Sequence, residues 1–256
     1  LADHVLTGAA SLWYIPTFAG QLVFVFYIVA FYGLKTLTGN YADWDKNPFL
    51  RKGFVEGDEA GNLAFAAHVI VAAIVAFGGM VQFLPQIRAK AISFHRWNGR
   101  AFMFGALAAA VSGFYMVWFR GPIESWTNAL AISLNGGLIV LFVLLALGNA
   151  LAKNIGAHRR WAMRLFMVAN GVFFLRLMVS AWLVLMRKSP GALFHILEFA
   201  SYLLPLAVLE LYLRAREGGA LGKIALAPIL VLFAALTGAG LFGFVMIFVM
   251  KALAAA

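Results

Sequence analysis

The residues of this chain best suited to chemistry are four histidines and the arginines beside them. His95 and His158 sit in two basic strings, Phe94-His95-Arg96-Trp97-Asn98-Gly99-Arg100 and Ala157-His158-Arg159-Arg160-Trp161-Ala162-Met163-Arg164, and each string opens a long apolar run. His68 lies inside another such run and His195 at the start of a later one. Imidazole is a good axial ligand for haem iron. Two pairs in two layers, His95 with His158 and His68 with His195, are the minimum for two six-coordinate b-type haems. In that reading Arg96, Arg100, Arg159 and Arg164 neutralise propionates. Gly99 and Ala162, four residues beyond His95 and His158, leave room for a flat macrocycle, as Ala64 and Ala72 do beside His68. The same four histidines are the candidate metal ligands. An alternative joins His68, His195 and Glu198 around zinc, iron or copper, as in a membrane metallohydrolase.

Composition narrows the setting for this chemistry. Of 256 residues, 64% are hydrophobic and only 12% charged, against about 25% charged in soluble domains. The chain therefore reads as an integral membrane protein. Its net charge of +10 resides mostly in loops between apolar runs, where lipid headgroups and topology explain it, so no nucleic-acid partner is expected. With no cysteine, disulfides, iron–sulfur ligation and thiolate catalysis are excluded. The opening segment shows no basic region followed by a cleavage site, and no signal peptide is expected.

Seven runs reach the roughly 20 residues needed to cross a bilayer as helices. They fall near Leu12–Leu34, Asn62–Leu84, Trp97–Phe119, Asn128–Leu151, Trp161–Met186, Leu193–Leu213 and Ile224–Met250. The expected fold is all-α, a single transmembrane domain over residues 1–256. Residues 35–61 form an extramembrane loop, 62–186 a core four-helix bundle, and 187–256 two additional helices. The loop is rich in Gly, Asn and acidic residues and reads as a solvated linker. His95 and His158 are 63 residues apart, one helical hairpin, so helices two to five read as two pseudo-repeated hairpins.

Arg176 falls in the middle of the fifth run, where a charge is costly, and Glu198 in the sixth has a matching depth. Arg176–Glu198, with Arg164–Glu210 in a similar relation, would form ion pairs that staple these helices. Pro205 predicts a kink in the sixth helix near Glu198. Gln82 and Gln86 offer hydrogen bonds to a headgroup or a quinone.

Eleven Lys and Arg lie on the face shared by the N-terminus and both His-Arg strings, eight on the other. The N-terminus is therefore expected in the cytoplasm, against anionic lipids, and the C-terminus in the periplasm. His68, the Gln82-Phe83 pair, Arg88, His95-Arg96-x-x-Gly99-Arg100 and His158-Arg159-x-Trp161-x-Met163-Arg164 together resemble a bacterial multi-pass membrane family. Its members are labelled only as predicted membrane proteins with a domain of unknown function. The resemblance covers helices two to five, about half the chain, and implies a bacterial inner-membrane location without an activity. The leading expectation is a bis-histidine haem b protein in transmembrane or quinone-linked electron transfer. Alternatives are an accessory subunit of a larger respiratory or photosynthetic complex, a small-molecule transporter, or the metallohydrolase.

Overall fold

Inside lipid, a backbone must satisfy its own hydrogen bonds, and the apolar runs do so as helices. The protein was analysed as a computed structural model that describes residues 1–46, 53–120 and 125–250. Its helices are α1 (Ala2–Leu37), α2 (Glu59–Gln82), the short α3 (Pro85–Lys90), α4 (Ile92–Trp118), α5 (Trp126–Leu151), α6 (Ile155–Ala169), α7 (Gly171–Met186), α8 (Leu193–Glu217) and α9 (Ala220–Val249). Six are long and apolar enough to span a membrane, and the bent pair α6–α7 makes a seventh if it is one span. In the most hydrophobic stretch of α4 only 17% of the residues are buried within the protein. Phe104, Val111, Leu130 and Leu144 all point outward. Contiguous apolar surface on that scale is stable only against lipid.

Side-chain caps fix several helix starts. Asp58, Ser125 and Asn154 each accept a backbone N–H from the first turn of α2, α5 and α6. Consecutive helices then run as hairpins. Asn98 of α4 donates to the Gly78 carbonyl and Trp118 of α4 donates to Ser133 of α5. Phe142 of α5 packs on Trp161 of α6. Phe83, just beyond α2, meets Phe166 of α6 at 4.7 Å.

Helices α1, α7 and α9 are parallel neighbours. Contacts of α1 with α9 climb in step, Asp3 with Lys223, Trp13 with Phe233 and Phe24 with Phe244, and those of α7 with α9 do so at Leu177 with Gly240 and Ser180 with Gly243. Glycines make the seam close: a Cβ on Gly240 would lie 2.5 Å from the Leu177 carbonyl oxygen, and one on Gly243 would lie 2.7 Å from that of Ser180. Helix α8 closes the structure against α5, α6 and α7.

Three local features differ from the sequence expectation. Helix α1 begins at Ala2 and not near Leu12, because Leu6 and Ala9 extend the buried face onto Leu226, Ala227 and Leu230 of α9. The fifth run is broken by a 52° bend between α6 and α7. There the Asn170 side chain donates back to the Phe166 carbonyl, and Gly171 lets the chain pass close to Asn135 and Tyr202. Helix α8 runs as one helix with Pro205 in its interior.

The described part of the loop before α2 is ordered instead of solvated. Its 3₁₀ turn, Tyr41–Lys46, buries Trp44 to 1% exposure against Phe65. Arg120, at the end of α4, ties the loop down by donating to Asp58, Asn62 and the Gly53 carbonyl. Together with the Gly61 N–H, Arg120 holds the Asp58 carboxyl below its ordinary pKa of 3.8, Arg120 being the larger cause.

Candidate functional site

The two His-Arg strings meet at one end of the molecule, where α3, the first turns of α4 and α6, and the last turns of α8 converge. Helices α4 and α6 begin before their apolar runs, so both histidines lie on helices and not in connecting loops. His158 Nδ1 lies 2.8 Å from the Ala146 carbonyl oxygen of α5. A carbonyl only accepts, so Nδ1 carries the proton and Nε2 keeps its lone pair. His95 offers its backbone carbonyl to Gln82 Nε2 at 2.9 Å, which gives Gln82 a structural role. The His95 Nδ1 is buried, with no hydrogen-bond partner among the described residues. Arg88, Arg96 and His158 are near enough for their charges to act on the His95 ring. Arg159 lies in the field of Arg88 and Arg216.

The arginines of this end have separate roles. Arg164 forms a two-pronged pair with Glu210 of α8, Nη2 to Oε2 at 2.9 Å, and stacks on Trp161 at 4.4 Å. This is one of the two helix staples expected from sequence. Arg100 lies over the Trp97 ring at 4.8 Å. Arg160 pairs with Glu217 at 3.6 Å.

A second set of polar residues lies deeper. His68 Nδ1 is 2.8 Å from Ser112 Oγ, whose hydroxyl also reaches the Ala108 carbonyl at 2.6 Å. The hydroxyl proton is committed to that carbonyl, so His68 Nδ1 donates to Ser112 Oγ. Gly113 sits against the same ring, and a Cβ there would lie 3.7 Å from His68 Cε1. Arg176 is buried on α7, 5.1 Å from the centroid of Phe24, and reaches the Val172 carbonyl at 3.4 Å. Glu198 is buried on α8 and accepts from Asn128 Nδ2 of α5 at 2.6 Å. Its other oxygen meets His195 Nδ1 at 3.2 Å. No three His, Asp or Glu side chains converge among the described residues, so the three-ligand site of His68, His195 and Glu198 is not assembled there.

Sequence reasoning passed over the residues that orient these groups. Ser112 and Asn128 are single polar residues in apolar runs, and only their partners give them a role. The signal that was available is the asparagine content of the greasy helices: Asn98, Asn128 and Asn170 all donate side-chain hydrogen bonds there.

Residues 65–213 match the model of the family described as "Predicted membrane protein (DUF2306)". The chain belongs to this family. The DUF2306 span runs from the first turns of α2 to the last turns of α8 and encloses His68, His95, His158, Arg176, His195 and Glu198. It therefore reaches one helix further than the resemblance read from the sequence, and Arg164–Glu210 and Asn128–Glu198 both lie within it. No curated protein and no solved structure matches the chain.

Proposed function

We propose that this DUF2306 protein is a b-type haem protein of the bacterial inner membrane, in which His95 and His158 at the arginine-rich end would hold the haem. The observation that carries the reading is the Nδ1–H of His158 held on the Ala146 carbonyl. Histidines that ligate metals commonly donate their second nitrogen to a carbonyl, a carboxylate or water, which fixes the ring and leaves the other nitrogen as ligand. His68 has the same form through Ser112, and His195 has its Nδ1 on a carboxylate. Bound at such a site, haem supplies a one-electron couple. The chain's own residues orient the His158 imidazole and would provide Arg88, Arg96 and Arg159 for propionate charge.

We also infer seven crossings, with α6 and α7 as one bent span. Asn128–Glu198 joins the start of α5 to the start of α8, while Arg164–Glu210 joins α6 to the end of α8, so α6 and α7 together cover the depth of α8. The duplicated-hairpin reading has its support in the matching positions of His95 and His158, each in the opening turns of a helix.

The test is an absorption spectrum with metal analysis of protein purified in mild detergent. A Soret band, sharpened on reduction, is expected, and H158A should lose it while keeping its helical circular dichroism. A ratio of two haems per chain brings in His68 and His195; a ratio of one assigns the arginine-rich layer alone. A colourless protein that gains no band on haem addition sinks the reading.

A further inference from the structure

We infer that the groove between the last turns of α8 and the first turns of α9 binds an anionic phospholipid, with its phosphate against Arg214 and an acyl chain along the two helices. The groove has a volume of about 390 Å³ and runs from Arg214 past Gly218 and Gly222 to Ile229. Apart from the arginine its lining is apolar. Leu211 and Ile229, on its two walls, are each 46% exposed, so it opens outward, to the lipid side. A Cβ built on Gly222 would meet nothing within 4 Å, so the space is unfilled by the protein itself.

Charge selects the occupant. Three cations at this end are matched by carboxylates, Arg160 by Glu217, Arg164 by Glu210 and Lys223 by Asp3, which removes the acidic partners nearest the groove. Among the described residues Arg214, which is exposed, has no carboxylate within ion-pair distance. Arg216 follows two residues later and adds to the positive field. A phosphodiester meets a guanidinium with charge-assisted hydrogen bonds, and its acyl chain gains from every methylene withdrawn into the groove. A zwitterionic lipid carries its own ammonium and leaves the Arg214 charge less well compensated. A free phosphate leaves the apolar groove empty. Only an anionic phospholipid satisfies both ends.

The test is native mass spectrometry of the full chain released from detergent carrying phosphatidylglycerol or phosphatidylcholine with identical acyl chains. The wild type is expected to retain phosphatidylglycerol preferentially. R214Q should lower that retention about tenfold. G222L extends a side chain into the groove from a Cβ position with nothing within 4 Å, keeps the arginine, and should lower retention to a similar degree, so it carries the test if R214Q does not fold. R187Q, in the loop at the other end of α7, should behave like the wild type. Equal retention of the two lipids, undiminished retention in a folded R214Q or G222L, or the same loss in R187Q overturns the proposal.

Discussion

At the scale of single residues, function depends on which atom of a side chain is already engaged. His158 lies in a basic string and His68 in an apolar run, yet both are polarised by an oxygen acceptor at Nδ1. Asp58 shows the same principle outside the membrane, where it caps α2 and accepts from Arg120 at once. Its pKa is depressed in the folded protein relative to 3.8 in the open chain. Its contribution to stability is therefore complete above about pH 4 and is lost as pH falls through the lower folded value. The loop before α2 should loosen in that acid window, seen as a rise in Trp44 solvent exposure by fluorescence quenching. D58N should show weakened anchoring already at neutral pH and no further acid step. An acid step of undiminished size in D58N would show that another group is responsible.

At the scale of helices, close approach is decided by where glycine falls against a neighbouring backbone. Gly238, Gly240 and Gly243 fall in one short stretch of α9. A Cβ on Gly238 would meet nothing, whereas one on Gly240 would press on the Leu177 carbonyl. Backbone cannot rotate away as a side chain can, so G240A must push α9 from α7. We expect G240A to cost about 1–3 kcal/mol, in the range of overpacked cores, and G238A to be close to neutral. Unfolding in mixed detergent micelles measures both, and equal stabilities would refute the seam. The bend at Asn170 follows similar logic, since Gly171 is tolerated there by its contacts with Asn135 and Tyr202 and not by a local breaker such as proline.

At the scale of the whole molecule, the governing fact is charge asymmetry across the bilayer. The start of α1 lies beside the start of α9 through Asp3–Lys223, so the N-terminus shares the arginine-rich end. The excess of Lys and Arg in short loops at that end leads us to expect it in the cytoplasm. Alkaline phosphatase fused in the loop after Arg187 should be active, and fused after Gly218 inactive. The reverse pattern would invert the topology, and the same activity at both sites would mean that α8 does not cross.

Much of this architecture is legible in the sequence, because a bilayer imposes length and apolarity on each span and charge on its loops. The all-helical fold with six or seven apolar spans, the Arg164–Glu210 staple and the convergence of the His-Arg strings at one end follow from those constraints. Tertiary structure decided what those constraints leave open. It set which oxygen each histidine and carboxylate meets, the docking of Trp44 on Phe65, and the bend at Asn170. The physical reason is that solvent partition acts on a helix one residue at a time. Hydrogen-bond partners and backbone approach depend on the rotation and depth of neighbouring helices, which no local pattern encodes.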